Sequence, residues 1–265
     1  VLASLGTVHQ TAGNLNNHIG VPLTLLDTPV DADLVVLEMG MSGPGEIALL
    51  QDIGAPTHRI VTNVSAAHLQ GTGSVEGVAR CKQEMFDGAR PGDVCIVNAD
   101  DPFVSAMPLP QGVREIRYGT RRDVDVRLIQ ATVDPQTLST LVEIALPNGT
   151  LSARILSPGR HLALNAAAAA ALGWSLGLSA DQIAEGLSRY QPVGMRMRVD
   201  SVGGVTVLND AYNANPASMR AALDTLGQLP GRRVALLGEM LELGGEEAAY
   251  HEQVIRQLAN LHLDL

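Results

Sequence analysis

The sequence predicts an α/β fold in two units. The first is a larger domain with a mostly parallel sheet and an antiparallel hairpin patch. The second is a partial Rossmann-like domain. Three observations carry this. Continuous apolar runs end in polar residues, as buried parallel strands do when they open onto a ligand site. Pro147-Asn148-Gly149 separates two strand-like runs, a strong hairpin signal. After a linker the strand–helix alternation starts again. We place the boundary so that 1–193 form the first unit and 194–265 the second.

In order along the chain, "VLASLG" (1–6) reads as the tail of a helix stopped by Gly6. "DLVVLEMG" (33–40) is an apolar strand reaching Glu38. "RIVTNVSAAHL" (59–69) is a second, leading into His68. "DVCIVNADD" (93–101) is a third, ending in Asn98, Asp100 and Asp101. Helices are expected between them, over 44–52 and 74–88. "STLVEIAL" and "TLSARIL" flank the hairpin turn. An Ala-rich helix follows over about 162–176, then one opened by a Ser179/Gln182 capping box. "QPVGMRMR" (191–198) reads as the linker. "VTVLND", a helix with Pro216 in its first turn, "RRVALLGE" and a helix over 246–260 give the second strand–helix set. "LHLDL" (261–265) reads as a strand that begins as the sequence stops. Both ends therefore read as internal to a longer protein.

Composition removes several classes. The chain has 265 residues, 46% of them hydrophobic, and a net charge of −10, with no basic stripe for a nucleic-acid surface. Two cysteines, Cys81 and Cys95, make neither a disulfide framework nor a zinc spacing. No apolar run is long enough for a membrane span. A cytoplasmic, monomeric protein is expected.

Lys82 is the one lysine, against 17 arginines. Ser74 can cap its helix, and Val75, Val78, Ala79, Met85 and Phe86 form an apolar stripe that places position 82 on the inward face. One reading is a lysine with a buried stem and a wet ammonium. The other uses chemistry that arginine lacks: a partly buried amine can lose its proton. It can then take up carbon dioxide as a carbamate, a carboxylate on a long arm. Glu38 reads as a surface carboxylate or a ligand, and His68 as a loop residue or a ligand. Together with a carbamylated Lys82 they would give an oxygen-rich set with one imidazole, suited to Mg²⁺ or Mn²⁺ more than zinc.

"TAGNLNNHIGVP" (11–22) is either a turn or a polar cradle. Asn165, inside an Ala-rich helix, either faces water or reads a base edge. "LNDAYNANPASM" gathers Asp210, Tyr212, Asn213 and Asn215, the last suited to cap the helix at Pro216.

These stretches, with "LEMGMSGPGEI", "NVSAAHLQGTGSVEGVARCKQEMF", "NADD" and "LLGEMLELG", closely resemble the Mur ligases over essentially the whole chain. The asparagine cluster, "YNANP" and "GEMLELG" resemble most the branch that adds D-alanyl-D-alanine to UDP-N-acetylmuramoyl-tripeptide. The resemblance implies ATP-dependent amide formation through an acyl phosphate in peptidoglycan synthesis. It implies that Glu38, His68 and carbamylated Lys82 hold magnesium, with manganese as a substitute. It gives Asn165 to adenine, Arg196, Asp210 and Asn213 to the nucleotide, and Thr11, Asn14, Asn16 and Asn17 to the UDP-peptide. Related readings are another amide ligase, such as the diaminopimelate- or lysine-adding Mur ligase or a folylpolyglutamate synthetase, and a non-catalytic binding module. Two departures stand out. The family's phosphate loop, ending Gly-Lys-Ser/Thr, is absent from this sequence and is expected before Val1, so these residues alone are expected to be inactive. His161-Leu162 stands where the family usually has His-Asn.

Overall fold

The computed structural model describes residues 1–261 and 263. A short 3₁₀ turn at Leu2–Ser4 replaces the expected helix tail. Gly6 still has a purpose there: a Cβ on it would meet an Asp33 carboxylate oxygen at 2.1 Å, and that oxygen accepts from the Thr7 amide at 2.8 Å.

Two small elements open the chain. Strand β1 (Val8–Gln10) pairs in parallel with β2 (Leu34–Val36), with helix α1 (Gly20–Leu26) between them in sequence. The apolar run at 33–40 was expected to be a buried strand. Instead Val35 and Val36 are 40% and 39% exposed. No further strand flanks this pair among the described residues, and apolar sequence alone does not bury a strand with so few neighbours.

The main sheet has six strands in the order β3 to β8. β3 (His58–Val61), β4 (Val94–Asn98), β5 (Arg114–Gly119) and β6 (Val126–Asp134) run parallel. β7 (Ser139–Leu146) and β8 (Gly149–Ile155) fold back antiparallel across the Pro147–Asn148 turn. A mostly parallel sheet with an antiparallel patch is therefore what forms. β4 is buried at all five positions.

Helices cover this sheet. α2 (Glu46–Gly54) and α4 (Val75–Asp87) lie against one side, with short α3 (Leu69–Thr72) and α5 (Pro102–Ser105). Val78, Cys81 and Phe86 of α4 join Cys95 and Val97 in one core. α6 (Arg160–Ser175) packs its alanines against Ile96, Ile116 and Ile144 in another core. Small side chains let this helix approach the strands closely. α7 (Ala180–Ser188) opens with the expected Ser179/Gln182 capping box.

The remaining chain differs from the expected strand–helix alternation. β9 (Arg198–Val202) and β10 (Val205–Asn209) form an antiparallel hairpin through Gly203 and Gly204, both at positive φ. Two glycines between strand-like runs are themselves a hairpin signal. α8 (Pro216–Gly227) is capped by Asn215 as expected, and α9 (Glu247–Asn260) packs on it. Residues 232–239 form no strand, and Leu236 is 99% exposed. Among the described residues no neighbouring strand takes up their backbone groups. The strand expected at 261–265 falls largely on residues 262, 264 and 265, which lie outside the described residues. No described helix is long and apolar enough to cross a membrane.

Candidate active site

Three groups of expected site residues sit around the carboxyl ends of the strands. The first surrounds β2. Thr11 Oγ1 accepts from the Glu38 amide at 2.9 Å, and the Asn16 side-chain amide donates to Glu38 Oε1 at 2.9 Å. Asn16 reaches this position beneath Gly40, where a Cβ would lie 2.9 Å from its nitrogen. Thr11, Asn16 and Glu38 are thus brought together, and Glu38 Oε2 keeps its lone pairs free of any partner among the described residues. Asn17 is used differently: its side-chain oxygen accepts from the Ile19 and Gly20 amides and starts α1. Asn14 is exposed, with no side-chain bond among the described residues.

The second group surrounds Lys82. Ser74 caps α4 by accepting from the Gly77 amide at 3.1 Å. Two turns later the Lys82 ammonium donates to the Asn63 carbonyl, at the end of β3, at 2.5 Å. Burial pushes its pKa below the ordinary lysine value, and the nearby Asp101 carboxylate opposes this only in part. Asp101 is itself committed to the fold, accepting from the Val64, Phe103 and Val104 amides. Asn98 and Asp100 do similar work, joining the Thr62 carbonyl and the Thr120 amide. These polar strand ends fasten β3, β4 and β5 to one another.

His68 lies on the loop between β3 and α3, at φ +56°. Its Nδ1 is 2.5 Å from a carboxylate oxygen of Glu242, which comes from the far end of the chain. The two line a small concavity of about 240 Å³ with Ser42, Gln70 and Gly71. Loop 39–45 runs past all of these: Gly71 approaches so near Ser42 that a Cβ would meet its carbonyl oxygen at 1.9 Å. Glu84 of α4 holds the same loop by accepting from the Gly45 and Ala48 amides. No hydrogen bond or ion pair joins any two of Glu38, His68 and Lys82. Among the described residues no three His, Cys, Asp or Glu side chains are grouped as a metal site. The expected set contains only two of those types, with a modified lysine as the third. Its donor chemistry fits a hard divalent ion: Glu38 Oε2 and His68 Nε2 are free of partners among the described residues, and Lys82 is half-buried, with its pKa lowered by that burial.

The third group lies where the two units join. Asp210 accepts from the Met197 amide at 2.9 Å, and Ser157 donates to the Met197 carbonyl at 2.9 Å. Arg196 stacks over the Tyr212 ring, 4.0 Å from its centroid. His161 of α6 faces Asp210: burial lowers the imidazole pKa, and the Asp210 charge works against that. Burial raises Asp210, against the pull of the Met197 amide, His161 and Arg196. Asn165 sits one turn beyond His161 on α6, exposed and with no side-chain bond among the described residues. Arg196, Asp210 and the His161 end of α6 thus converge. Asn213 is exposed and among the described residues its side chain bonds only the next amide, that of Ala214.

Sequence reading passed over Glu242, His161 and Tyr212 as site residues. Glu242 lies within "LLGEMLELG", one of the stretches that carry the family resemblance, but nothing local names its partner.

The profile described as "Mur ligase middle domain" matches residues 1–173, and "Mur ligase, glutamate ligase domain" matches residues 195–264. This chain belongs to the Mur ligase family. Its relatives include the UDP-N-acetylmuramoyl-tripeptide–D-alanyl-D-alanine ligases of Bacillus subtilis, 38% identical over 95% of this chain, and Escherichia coli, 37% identical over 96%. Here the chain spans 55% and 56% of those relatives' lengths. Among solved structures, MurF from Acinetobacter baumannii superposes with a TM-score of 0.93 at 32% identity, over 99% of this chain and 57% of that one. MurF from Thermotoga maritima, solved in complex with ADP, gives 0.88 at 28% identity, over 97% and 59%. The mixed α/β fold is the one these Mur ligases share.

Proposed function

We propose that this chain supplies the central unit (1–193) and much of the second unit (194–265) of an ATP-dependent ligase. The reaction joins D-alanyl-D-alanine to UDP-N-acetylmuramoyl-tripeptide in peptidoglycan synthesis. ATP would phosphorylate the tripeptide's terminal carboxylate. The D-alanyl-D-alanine amine would then attack the acyl carbon, forming the amide and releasing phosphate. The relatives that carry this name, together with the matched motifs, support the reading.

The observation that carries the chemistry is the half-buried Lys82, its amine held at the Asn63 carbonyl and its pKa lowered by burial. A lysine whose pKa is lowered holds more neutral amine at a given pH, and neutral amine is the form that carbon dioxide carbamylates. The carbamate, with Glu38 and His68, would hold Mg²⁺ or Mn²⁺. When bound, such an ion offsets the negative charge gathered between phosphate donor and acceptor. Thr11, Asn14, Asn16 and Asn17 are assigned to the UDP-peptide side, with Asn16 also steadying Glu38. Asn165, Arg196, Asp210 and Asn213 are assigned to the nucleotide. We place the reaction in the cytoplasm, where the free thiols Cys81 and Cys95 stay reduced, and take the working form as a monomer.

The test is phosphate release that requires both UDP-N-acetylmuramoyl-tripeptide and D-alanyl-D-alanine, measured on a polypeptide carrying these residues together with a phosphate loop. The 265 residues alone, with no Gly-Lys-Ser/Thr, should turn over only at trace level. Lys82→Ala and Lys82→Arg should each lower kcat by about 100-fold or more, the scale of losing one charge-stabilising group. Added bicarbonate plus a short-chain carboxylate should restore part of the Lys82→Ala loss and none of the Lys82→Arg loss. Normal activity in Lys82→Arg would overturn the carbamate.

A further inference from the structure

We propose that Glu242 is a positioning residue, delivered by the second unit, that fixes the ring of His68. Two bonds from the first unit converge on it. His68 Nδ1 lies 2.5 Å from Glu242 Oε2, and the Gln70 amide donates to the Glu242 carbonyl at 3.2 Å. Both His68 and Glu242 sit at positive φ, +56° and +62°, which non-glycine residues rarely adopt. Two such residues, one from each unit, meet side chain to side chain. Strain of this kind persists where the surroundings over-determine it.

The surroundings do so here. Met240 and Leu243 are 0% and 1% exposed, buried in the small core of the second unit with Leu223 and Val254. The Met240 amide is further held by His251 Nε2 at 3.0 Å. The turn is therefore anchored on both sides of Glu242, and the carboxylate projects away from its own core toward His68. Glu242 is a rigid knuckle of the second unit.

The chemistry follows from the donor inventory. An ionised carboxylate only accepts hydrogen bonds, so His68 Nδ1 carries the proton and Nε2 is left with its lone pair. A ligating imidazole is commonly held this way, its other nitrogen donating to a carboxylate. The inference rests on the reading of His68 as facing a cation. Its added content is that the competent tautomer is supplied by the second unit, so that docking of that unit and preparation of the imidazole are one event.

The experiment uses the chain itself, with ¹⁵N-labelled histidine and NMR at pH about 8.5, roughly two units above the ordinary histidine value. His68 should show the Nδ1–H tautomer. Glu242→Gln keeps an accepting oxygen and should preserve it. Glu242→Ala should shift the ring toward the Nε2–H form that free imidazole side chains favour. Mn²⁺ alone, followed by EPR of the free aquo ion, should bind about 10–100-fold more weakly to Glu242→Ala, with recovery in Glu242→Gln. An Nε2–H ring in the unaltered chain, or an unchanged tautomer in Glu242→Ala, would overturn the proposal. His68→Ala separates the two readings. If it leaves Mn²⁺ binding unchanged, the cation reading of His68 falls, while the tautomer measurement still decides whether Glu242 sets the ring.

Discussion

Strands β2 and β4 have similar apolar sequences and opposite circumstances. β4 lies between β3 and β5, under α4 and α6, and every residue in it is buried. β2 has one partner of three residues, and two of its own three residues are exposed. The difference teaches that strand formation and strand burial are separate matters: side-chain pattern drives the first and neighbouring elements supply the second. It also separates the site's foundations. Lys82 and Asn63 rest on the deep sheet, whereas Glu38 rests on the shallow pair and needs Thr11 and Asn16 to hold it.

Three substitutions would sharpen or break this contrast. The largest effect is expected at Ile96, 0% exposed in mid-β4. Ile96→Ala should cost about 4 kcal/mol in urea unfolding, by lost transfer energy and the cavity left behind. Next comes Arg59, whose buried guanidinium donates to Asp93 at 2.6 Å and to the Gly88 carbonyl at 2.9 Å. Arg59→Ala should cost about 3 kcal/mol, because it strands a largely buried carboxylate. This pair also has a pH signature. Burial pushes Asp93 up, but the Arg90 amide and the Arg59 guanidinium outweigh it and hold the carboxyl below its usual range. A depressed folded pKa contributes stability in full above the unfolded value of about 3.9 and loses it as pH falls through the folded one. Acid unfolding curves should therefore flatten in Arg59→Ala. The smallest effect is expected at Val36→Ala in β2, under about 1 kcal/mol, since much of that side chain already meets water. A Val36→Ala cost equal to that of Ile96→Ala would erase the distinction.

Much of the deep region was legible in the sequence. The runs at β3 and β4 are contiguous in sequence, and the Ser74 cap, the Ser179/Gln182 box, the hairpin turn at Pro147–Asn148 and the Asn215 cap all rest on interactions within a few residues. Those signals are local, so a single sequence carries them. The pairing of β9 with β10 was legible too, in Gly203-Gly204, yet "VTVLND" reads equally as the first strand of a strand–helix repeat. Residues 232–239 show the limit: "RRVALLGE" has strand character but pairs with no strand among the described residues. Within the site, Lys82 stood out by composition and Glu38 by its place after an apolar run. The role of Glu242 was not legible, since its partner lies 174 positions away. No periodicity reports a contact of that separation. The same holds for His161 and Asp210, which are adjacent only because α6 begins where the two units meet.

Met197 links those units in a particular way. Its carbonyl is gripped by Ser157 and its amide by Asp210, so one residue is clasped from both sides. The junction is therefore stapled through the backbone of one residue: replacing the Met197 side chain would leave both bonds in place, whereas losing Ser157 or Asp210 would each release one side of it.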